Sequence, residues 1–306
     1  MKKQLYILGA LFATVALASC NSNKKDDYTL TVAAPTGAPL VASASALSDV
    51  ELVKITDTAL IPTFFVANEK DIIIAPVNVG TMLYNNNQST YKLASVITFG
   101  NLYFASQADG FDEVFDLNDK DVVFFGENTV NQVVVDYVLN QYNVTPKSTT
   151  YLGNTKLTQT ELLSKSDSIV LIAEPALSAA KKQNSNIKSI SVEDLFVEKS
   201  GNNKYCQAGC FVKEDTITKH KEAVNGFLKN VKKSCDLAST DAEALADLAI
   251  SIDDSTPKAV LAASIPGCNI SYGKASDIKT MFEFTCNLDL TKFGNKLPDN
   301  NFYYNE

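Results

Sequence analysis

Four times along the chain, a short apolar run is followed by a turn and then by a helical pattern. The four runs are residues 29–34, 71–75, 121–125 and 168–173. They lack the alternation of polar and apolar residues that is typical of a strand with one solvent-exposed face. We therefore expect strands that are covered on both faces. Strands of this kind alternate with helices in parallel, helix-covered sheets. The repeat therefore predicts an α/β fold.

The turns after these runs contain Pro, Gly, Asn and Thr, the residue types that begin helices or let the backbone approach a ligand. In open α/β sheets, ligands bind at the carboxyl ends of the strands. We therefore expect a binding site at these turns, with ordinary strand-to-helix connections as the alternative. None of the turns carries a phosphate-cradling or dinucleotide-binding glycine pattern, which argues against nucleotide hydrolysis and dinucleotide binding.

Two further apolar segments, 93–106 and 208–212, suggest that the chain passes twice between two lobes. The first is interrupted by Gly100 and Asn101 and is predicted to be one long strand with a bend. The crossings predict a discontinuous first lobe, 28–102 plus 206–306, and an inserted second lobe, 103–205. The ligand cleft would lie between them.

All 27 basic residues are lysines, and the chain has no arginine. Bidentate guanidinium recognition of an anion is therefore excluded. A net charge of -8 disfavours nucleic acid as a partner, and we interpret the lysine run 219–233 as a solvated helix face. The single histidine, His220, cannot form a two-histidine zinc site, and we interpret it as a surface residue rather than a catalytic one. We expect no metal, no cofactor and no catalytic residues.

Residues 1–19 have the pattern of a secretory signal, with Lys2 and Lys3 before an apolar run at 5–17. The sequence LASC at 17–20 resembles a bacterial lipobox, in which Cys20 receives lipid and becomes the first mature residue. Residues 20–27 are polar and predict a lipidated tether. We expect an exported protein anchored to the outer face of the cytoplasmic membrane, with an uncleaved anchor helix as the alternative.

The other five cysteines all lie in the last third of the chain. Because an exported protein can oxidise its thiols, one or two disulfides with at least one free thiol are expected, or else structural thiols. A redox or metal site is less favoured, since the spacing of the first two is not Cys-x-x-Cys. The five residues are Cys206, Cys210, Cys235, Cys268 and Cys286.

Several motifs together resemble the solute-binding lipoproteins of ABC importers, in the group that includes nitrate, alkanesulfonate, taurine and thiamine-pyrimidine binders. The resemblance implies a two-lobed, type 2 periplasmic-binding-protein fold of mixed sheets flanked by helices, without enzymatic activity. It also implies a monomer that delivers a small solute to a membrane permease with a cytoplasmic ATPase. The motifs are the lipobox, APTGAP at 34–39, DIIIAP at 71–76 with Asn78, ITFGN at 97–101, AEPA at 173–176, and KLPD at 296–299 with the aromatic residues 302–304.

Carried over to this chain, the resemblance implies ligand-facing residues in both lobes. Helix-start N–H groups would donate hydrogen bonds, Asn and Thr side chains would orient the ligand, and one aromatic ring would provide an apolar face. The implied residues are Thr36, Gly37, Ala38, Pro76, Asn78, Val79, Thr98, Phe99, Gly100 and Asn101, together with Asn128, Thr129 and Glu174 from the second lobe.

The missing arginine is a departure from sulfonate and carboxylate binders of such families. Glu127 and Glu174 near the cleft would also oppose an anion, so we favour a neutral or cationic heteroaromatic solute, such as a thiamine-pyrimidine precursor. Alternatively, Glu174 only stabilises its own helix N-terminus. The competing hypotheses for the function are a sulfonate or small oxyanion binder, an enzyme on the same fold, and a scaffold without a ligand.

Overall fold

The computed structural model describes residues 28–201 and 203–305. The expected signal at 1–19, the lipidated Cys20 and the tether up to residue 27 lie outside the described residues. No helix in the described ranges is both long enough and apolar enough to cross a membrane.

The described chain forms eleven strands and twelve α-helices, with short 3₁₀ turns between some of them. The strands are β1 (Thr31–Pro35), β2 (Glu51–Ile55), β3 (Ile72–Pro76), β4 (Tyr91–Thr98), β5 (Leu102–Ser106), β6 (Asp121–Phe125), β7 (Ser148–Leu152), β8 (Ile169–Ala173), β9 (Lys188–Ser191), β10 (Ala208–Lys213) and β11 (Ile270–Lys274). The helices are α1 (Ala38–Leu47), α2 (Ile61–Ala67), α3 (Val77–Asn85), α4 (Val130–Gln141), α5 (Thr155–Ser164), α6 (Ala176–Gln183), α7 (Val192–Lys199), α8 (Glu214–Lys219), α9 (Lys221–Thr240), α10 (Ala242–Ile250), α11 (Lys258–Ser264) and α12 (Lys279–Leu288).

The four predicted strand–turn–helix units are present. The apolar runs form β1, β3, β6 and β8, and each is followed by a helix: α1, α3, α4 and α6. Strand β8 is buried along its whole length, as expected for a strand with helices on both faces. The α/β prediction is confirmed.

The strands divide between two mixed sheets. The first has the order β11-β4-β10-β3-β1-β2, in which β1, β2 and β3 run parallel and β10 is antiparallel to both of its neighbours. The second has the order β7-β6-β8-β5-β9, in which β6, β7 and β8 run parallel and β5 is antiparallel to its neighbours. Four of the six parallel strands, β1, β3, β6 and β8, are those that the sequence pattern predicts to carry the site. The lobe boundaries at 102/103 and 205/206 remain a prediction.

The segment 93–106 is not one bent strand, which corrects the sequence-based expectation. Strand β4 belongs to the first sheet and β5 to the second, so the chain changes sheets between residues 98 and 102. Gly100 lies at this crossing with φ of 113°. A Cβ atom there would lie 2.8 Å from both Glu193 Oε2 and Tyr205 Oη, so glycine suits the backbone conformation and leaves room for these side chains.

Glu193 lies where the crossing segments meet. The Asn269 side-chain amide donates to Glu193 Oε2 and to the Gly100 carbonyl. Lys204, in the second crossing segment, lies 3.7 Å from Glu193 Oε1. Burial raises the pKa of Glu193 to about 7, which the attraction of Lys204 only partly offsets. The contacts of this carboxyl group therefore join both crossings.

All five described cysteines are free and buried, so the expectation of disulfides is wrong. Burial raises the pKa of the Cys206 and Cys210 thiols to about 12, which keeps them protonated and unreactive. They act as small apolar core residues, in agreement with the second expectation, that of structural thiols.

We predict that Gly80→Ala destabilises the fold. Gly80 lies in α3, and a Cβ atom there would overlap the buried ring of Phe211 in β10. Overpacking of this kind costs about 1–3 kcal/mol of unfolding free energy. Gly226→Ala in α9 is the matched control, since its Cβ would meet no atom within 4 Å and alanine favours a helix. Urea denaturation of the two variants should give changes of opposite sign. Equal stabilities would contradict the close packing of α3 on β10.

We also predict that Glu193 makes the fold less stable as the pH rises. Its ordinary pKa is 4.5 and its folded-state pKa is about 7, so between these values the folded protein holds a proton that the unfolded chain releases. The stabilisation is complete below pH 4.5 and is lost as the pH rises through 7, by about 3 kcal/mol.

Glu193→Gln should therefore be more stable than the wild type at pH 8 and close to it at pH 4.5, in thermal or urea denaturation. The exposed Glu69→Gln serves as the control and should follow the wild-type profile. Parallel profiles for Glu193→Gln and the wild type would show that Glu193 ionises normally.

Candidate functional site

A cavity of about 100 Å³ lies where the parallel strands of both sheets end. Its wall is formed by residues at or just after the ends of β1, β2 and β3 on one side and of β6, β7 and β8 on the other, with the start of β10 between them. This is the position at which open α/β sheets bind ligands. The lining residues are Pro35, Thr36, Gly37, Ala38, Pro39, Ile55, Thr56, Thr58, Ile61, Pro76, Asn101, Phe125, Asn131, Asn154, Thr155, Ala173, Glu174, Gln207 and Ala208.

On the side of the first sheet, the wall is built around the start of α1. Gly37 is the N-cap residue, with φ of 86°, and no side chain caps this helix. Its first turn also contains no acidic residue. The positive end of the helix dipole therefore faces the cavity without a compensating side chain.

Between the two sheets, the wall carries a cluster of side-chain amides, Asn101, Asn131 and Gln207. Gln207 Nε2 donates to Asn101 Oδ1 at 2.8 Å and to Asn131 Oδ1 at 3.1 Å. Asn101 Nδ2 donates in turn to the Glu174 carbonyl at 3.2 Å. The cluster links the first crossing, the first turn of α4, the end of β8 and the start of β10.

Glu174 is 7% exposed, and both of its carboxylate oxygens bond to Ser178. The Ser178 backbone N–H donates to Oε2 at 3.0 Å, and its hydroxyl donates to Oε1 at 2.8 Å. Burial raises the pKa of Glu174, although these hydrogen bonds oppose the rise. The carboxylate thus stabilises the N-terminus of α6, which was one of its two expected roles, while the residue also lines the cavity.

Two hydrogen bonds join the turns on the two sides of the cavity. Asn154 Nδ2 donates to the Thr56 carbonyl at 3.1 Å, and Thr58 Oγ1 donates to the Gly153 carbonyl at 3.2 Å. The turns that follow β2 and β7 are therefore in contact beside the cavity.

Six of the thirteen predicted site residues lie in the cavity wall, and seven do not. The six are Thr36, Gly37, Ala38, Pro76, Asn101 and Glu174, and the other seven are Asn78, Val79, Thr98, Phe99, Gly100, Asn128 and Thr129. The ligand role of all thirteen residues stays a prediction.

The side chains outside the wall bond to other parts of the protein. Asn78 accepts from the Val130 N–H at 2.8 Å and donates to the Asn128 carbonyl at 3.0 Å, so it joins α3 to the start of α4. Thr129 caps α4 through the Asn131 N–H. Thr98 accepts from the Ala208 N–H within the first sheet.

Phe99 lies apart from the main cavity, in a surface groove that it shares with Lys204 and Met281. Val79 is a core residue of α3. Glu127, expected near the cleft, is exposed and absent from the wall.

Several wall residues were not predicted. Asn154 and Thr155 follow β7, whose sequence STTYL is polar and carries none of the apolar signal used to find strands. Thr56 and Thr58 follow β2, an equally exposed edge strand. Gln207 and Asn131 lie next to predicted elements, and only the packing of the two sheets brings them together.

The wall is almost free of charge. Among its residues, all of them in the described ranges, Glu174 is the one ionisable side chain, and no lysine contributes. His220 is not part of the wall; it lies between α8 and α9, where its ring stacks on Tyr28 with a centroid distance of 3.6 Å. No group of three or more potential metal ligands occurs among the described residues. A ligand in the cavity would therefore contact amides, hydroxyls, backbone dipoles and apolar surface.

Solved structures with known names share this architecture. A protein from Parabacteroides distasonis named as an ABC transporter has a TM-score of 0.74 and 19% identity, over 92% of this chain and 100% of that chain. The periplasmic aliphatic sulphonate binding protein SsuA from Escherichia coli has a TM-score of 0.65 and 13% identity, over 85% and 86% of the two chains.

A Candida albicans protein described as having the generic periplasmic binding protein structural fold, the CA3427 gene product, has a TM-score of 0.58 and 13% identity, over 90% and 93%. The periplasmic-binding-protein fold implied by the sequence motifs is thereby confirmed.

No curated protein sequence matches the chain. The family model described as NMT1/THI5 like matches residues 46–244, about two thirds of the sequence. The chain therefore has the periplasmic-binding-protein fold and belongs to the NMT1/THI5-like family.

Proposed function

We propose that this protein is the extracytoplasmic solute-binding lipoprotein of an ABC importer. It would capture a small uncharged solute in the cavity between the two sheets and deliver it to a membrane permease driven by a cytoplasmic ATPase. The observation that carries the proposal is the cavity at the convergent ends of the parallel strands, which is lined by amides and hydroxyls and has hydrogen bonds between its two sides.

The size of the cavity favours a small solute. An apolar protein cavity of roughly 150 Å³ accepts benzene. A volume of about 100 Å³ therefore suits a molecule of single-ring size or smaller. A heteroaromatic ring, such as that of a thiamine-pyrimidine precursor, could place its faces against Phe125 and Pro76 and its polar edge against the amide cluster.

The charge of the wall disfavours an anion. A buried sulfonate or carboxylate needs compensation, and the wall offers no lysine or arginine for it. The uncapped start of α1 supplies only a partial positive charge. The Ser178 N–H and hydroxyl donate to the two carboxylate oxygens of Glu174, and a neutral solute needs no charge compensation from the wall. A neutral solute is consistent with both observations.

Capture would occur by closure of two lobes, 28–102 plus 206–306 and 103–205, about the crossings near Gly100 and Tyr205. The contacts over the mouth join the turns at Thr56 and Gly153, so opening would break hydrogen bonds without disturbing either sheet. An enzymatic role finds no support in the wall, which contains no cysteine, no histidine and no paired acid and base.

The proposal predicts selective binding of small uncharged rings. In calorimetry and thermal-shift experiments, aminopyrimidines or pyrimidine nucleobases should raise the melting temperature, whereas taurine, methanesulfonate and nitrate should not. At a hundredfold excess over Kd, binding adds about 2.7 kcal/mol to the unfolding free energy. X-ray scattering should show compaction with the same solutes. Stabilisation by the anions alone would overturn the proposed solute class.

A matched pair of variants tests whether the cavity is the binding site. Thr36→Phe places a ring at an exposed position of the wall and should abolish binding. Thr149→Phe makes the same change on the exposed side of β7, outside the wall, and should leave binding unchanged. Equal binding by both variants would place the solute elsewhere.

The proposed anchor predicts that Cys20 carries lipid. In a bacterial host, the full-length protein should incorporate radiolabelled palmitate and partition into detergent, because acylation supplies the apolar surface that residues 20–27 lack. Cys20→Ser should lose both properties, while Ser22→Ala, two residues away, should retain them. Label in Cys20→Ser at the wild-type level would rule out this anchor.

A further inference from the structure

Asn154 bonds to two different parts of the protein through the two ends of its side-chain amide. Its Oδ1 atom accepts from the Leu157 N–H at 3.0 Å and so caps helix α5, which follows β7 of the second sheet. Its Nδ2 group donates to the Thr56 carbonyl at 3.1 Å, in the turn that follows β2 of the first sheet. One side chain therefore fixes the start of its own helix and reaches the opposite sheet.

The cap determines which end of the Asn154 amide faces the first sheet. An N-cap residue needs only an acceptor, and Ser, Asp and Asn provide one about equally well. Asparagine also carries an NH₂ group, which remains able to donate after the oxygen has capped the helix. The flipped amide would lose both bonds, since it would set Nδ2 against the Leu157 N–H and Oδ1 against the Thr56 carbonyl. The helix cap thus orients the donor towards the opposite turn.

A second hydrogen bond joins the same two turns in the reverse direction. Thr58 Oγ1, on the side of the first sheet, donates to the Gly153 carbonyl at 3.2 Å. The turn that carries Thr58 is itself held in shape, because Asp57 Oδ1 accepts from the Ala59 N–H at 2.9 Å. Each side therefore gives one side-chain donor to a backbone carbonyl of the other side. We call the Asn154–Thr56 and Thr58–Gly153 bonds together the turn link.

The turn link belongs to the cavity and joins the two predicted lobes. Thr56, Thr58 and Asn154 all line the cavity wall. Residues 56 and 58 lie in the predicted first lobe and residues 153 and 154 in the second, so separation of the lobes on this side must break both bonds. The free energy of the link therefore enters the equilibrium of lobe closure, and through it the affinity for a solute.

We propose that Asn154 is a positioning residue for solute capture, whose amide holds the turn after β2 against the turn after β7 and so strengthens solute binding. The inference rests on the proposed function, since it takes the cavity as the solute site and lobe closure as the mode of capture. It adds a residue that acts on affinity through the Thr56 turn. Asn154 and Thr58 are half-buried, and a neutral bond of this kind changes an equilibrium constant by about twofold to tenfold.

Asn154→Asp separates the two roles of the side chain. The carboxylate keeps the cap and adds a negative charge that is favourable at the N-terminus of α5, but it has no donor for the Thr56 carbonyl. The variant should therefore unfold at a urea concentration close to that of the wild type. Isothermal calorimetry with 2-aminopyrimidine, which is uncharged at neutral pH, should give a Kd about fivefold higher. Compaction in X-ray scattering should require more of the probe by the same factor.

Two further variants assign the loss of affinity to the turn link. Thr58→Val removes the reciprocal donor without adding charge and should raise the Kd for 2-aminopyrimidine by a similar factor. When it is combined with Asn154→Asp, it should add less than it does alone, because both bonds join the same two turns. Asn186→Asp makes the same change of charge at an exposed site outside the wall, between α6 and β9. It is the matched control and should keep the wild-type Kd.

The outcomes separate this inference from the proposed function. If Asn154→Asp binds 2-aminopyrimidine as tightly as Asn186→Asp does, Asn154 does not position the turns for capture, while the cavity remains a site for uncharged rings. If Asn154→Asp loses folding stability together with affinity, its role is structural and the inference is wrong. If it fails to fold, Asn154→Ser decides instead, because serine keeps the cap and is too short to reach the Thr56 carbonyl. A higher Kd in that variant supports the inference, and the wild-type Kd overturns it. If 2-aminopyrimidine does not bind the wild type at millimolar concentration, the proposed solute class is wrong and the role of Asn154 falls with it.

Discussion

Neutral amide hydrogen bonds hold the two sheets around one cavity, and the arrangement of the site depends on them. Asn78 joins α3 to α4, and the Asn101–Gln207 pair joins both crossings to the end of β8. An amide has a donor and an acceptor, so one side chain can satisfy groups from both sheets at once. Charged groups could do the same only with a larger desolvation cost. The ends of the parallel strands can therefore face one another across a space that is nearly uncharged.

The strongly apolar elements could be predicted from sequence, because a strand buried on both faces leaves a continuous signal. Strands β1, β3, β6 and β8 and the helices that follow them were found in this way. The edge strands β2 and β7 were not found, because most of their side chains are exposed and the strands therefore lack a continuous apolar run. The error at 93–106 has a related cause. Both halves are buried and β-forming, and only the backbone at Gly100 reveals that they belong to different sheets.

The site was only partly predictable for a similar reason. Residues after apolar strands, such as Thr36, Pro76 and Glu174, could be placed near the cavity from strand order alone. Asn78 follows the same rule, yet its side chain bonds to Asn128 and Val130, because α4 of the other sheet packs against it. Gln207 shows the converse. It lies before a predicted strand and carries no motif, and its importance emerges only when three amides from distant parts of the chain come together.

The hydrogen bonds that join the two sides of the cavity have a consequence for the environment in which the protein can work. Asn154 meets the Thr56 carbonyl and Thr58 meets the Gly153 carbonyl, so both bonds join neutral groups. Salt screens interactions between charges and has little effect on bonds of this kind. In the lobe closure that we propose, the balance between an open and a closed cleft should thus be nearly independent of ionic strength. The proposed receptor, working outside the cytoplasm where the cell does not buffer salt, would then keep the same affinity for its solute in dilute and in saline surroundings.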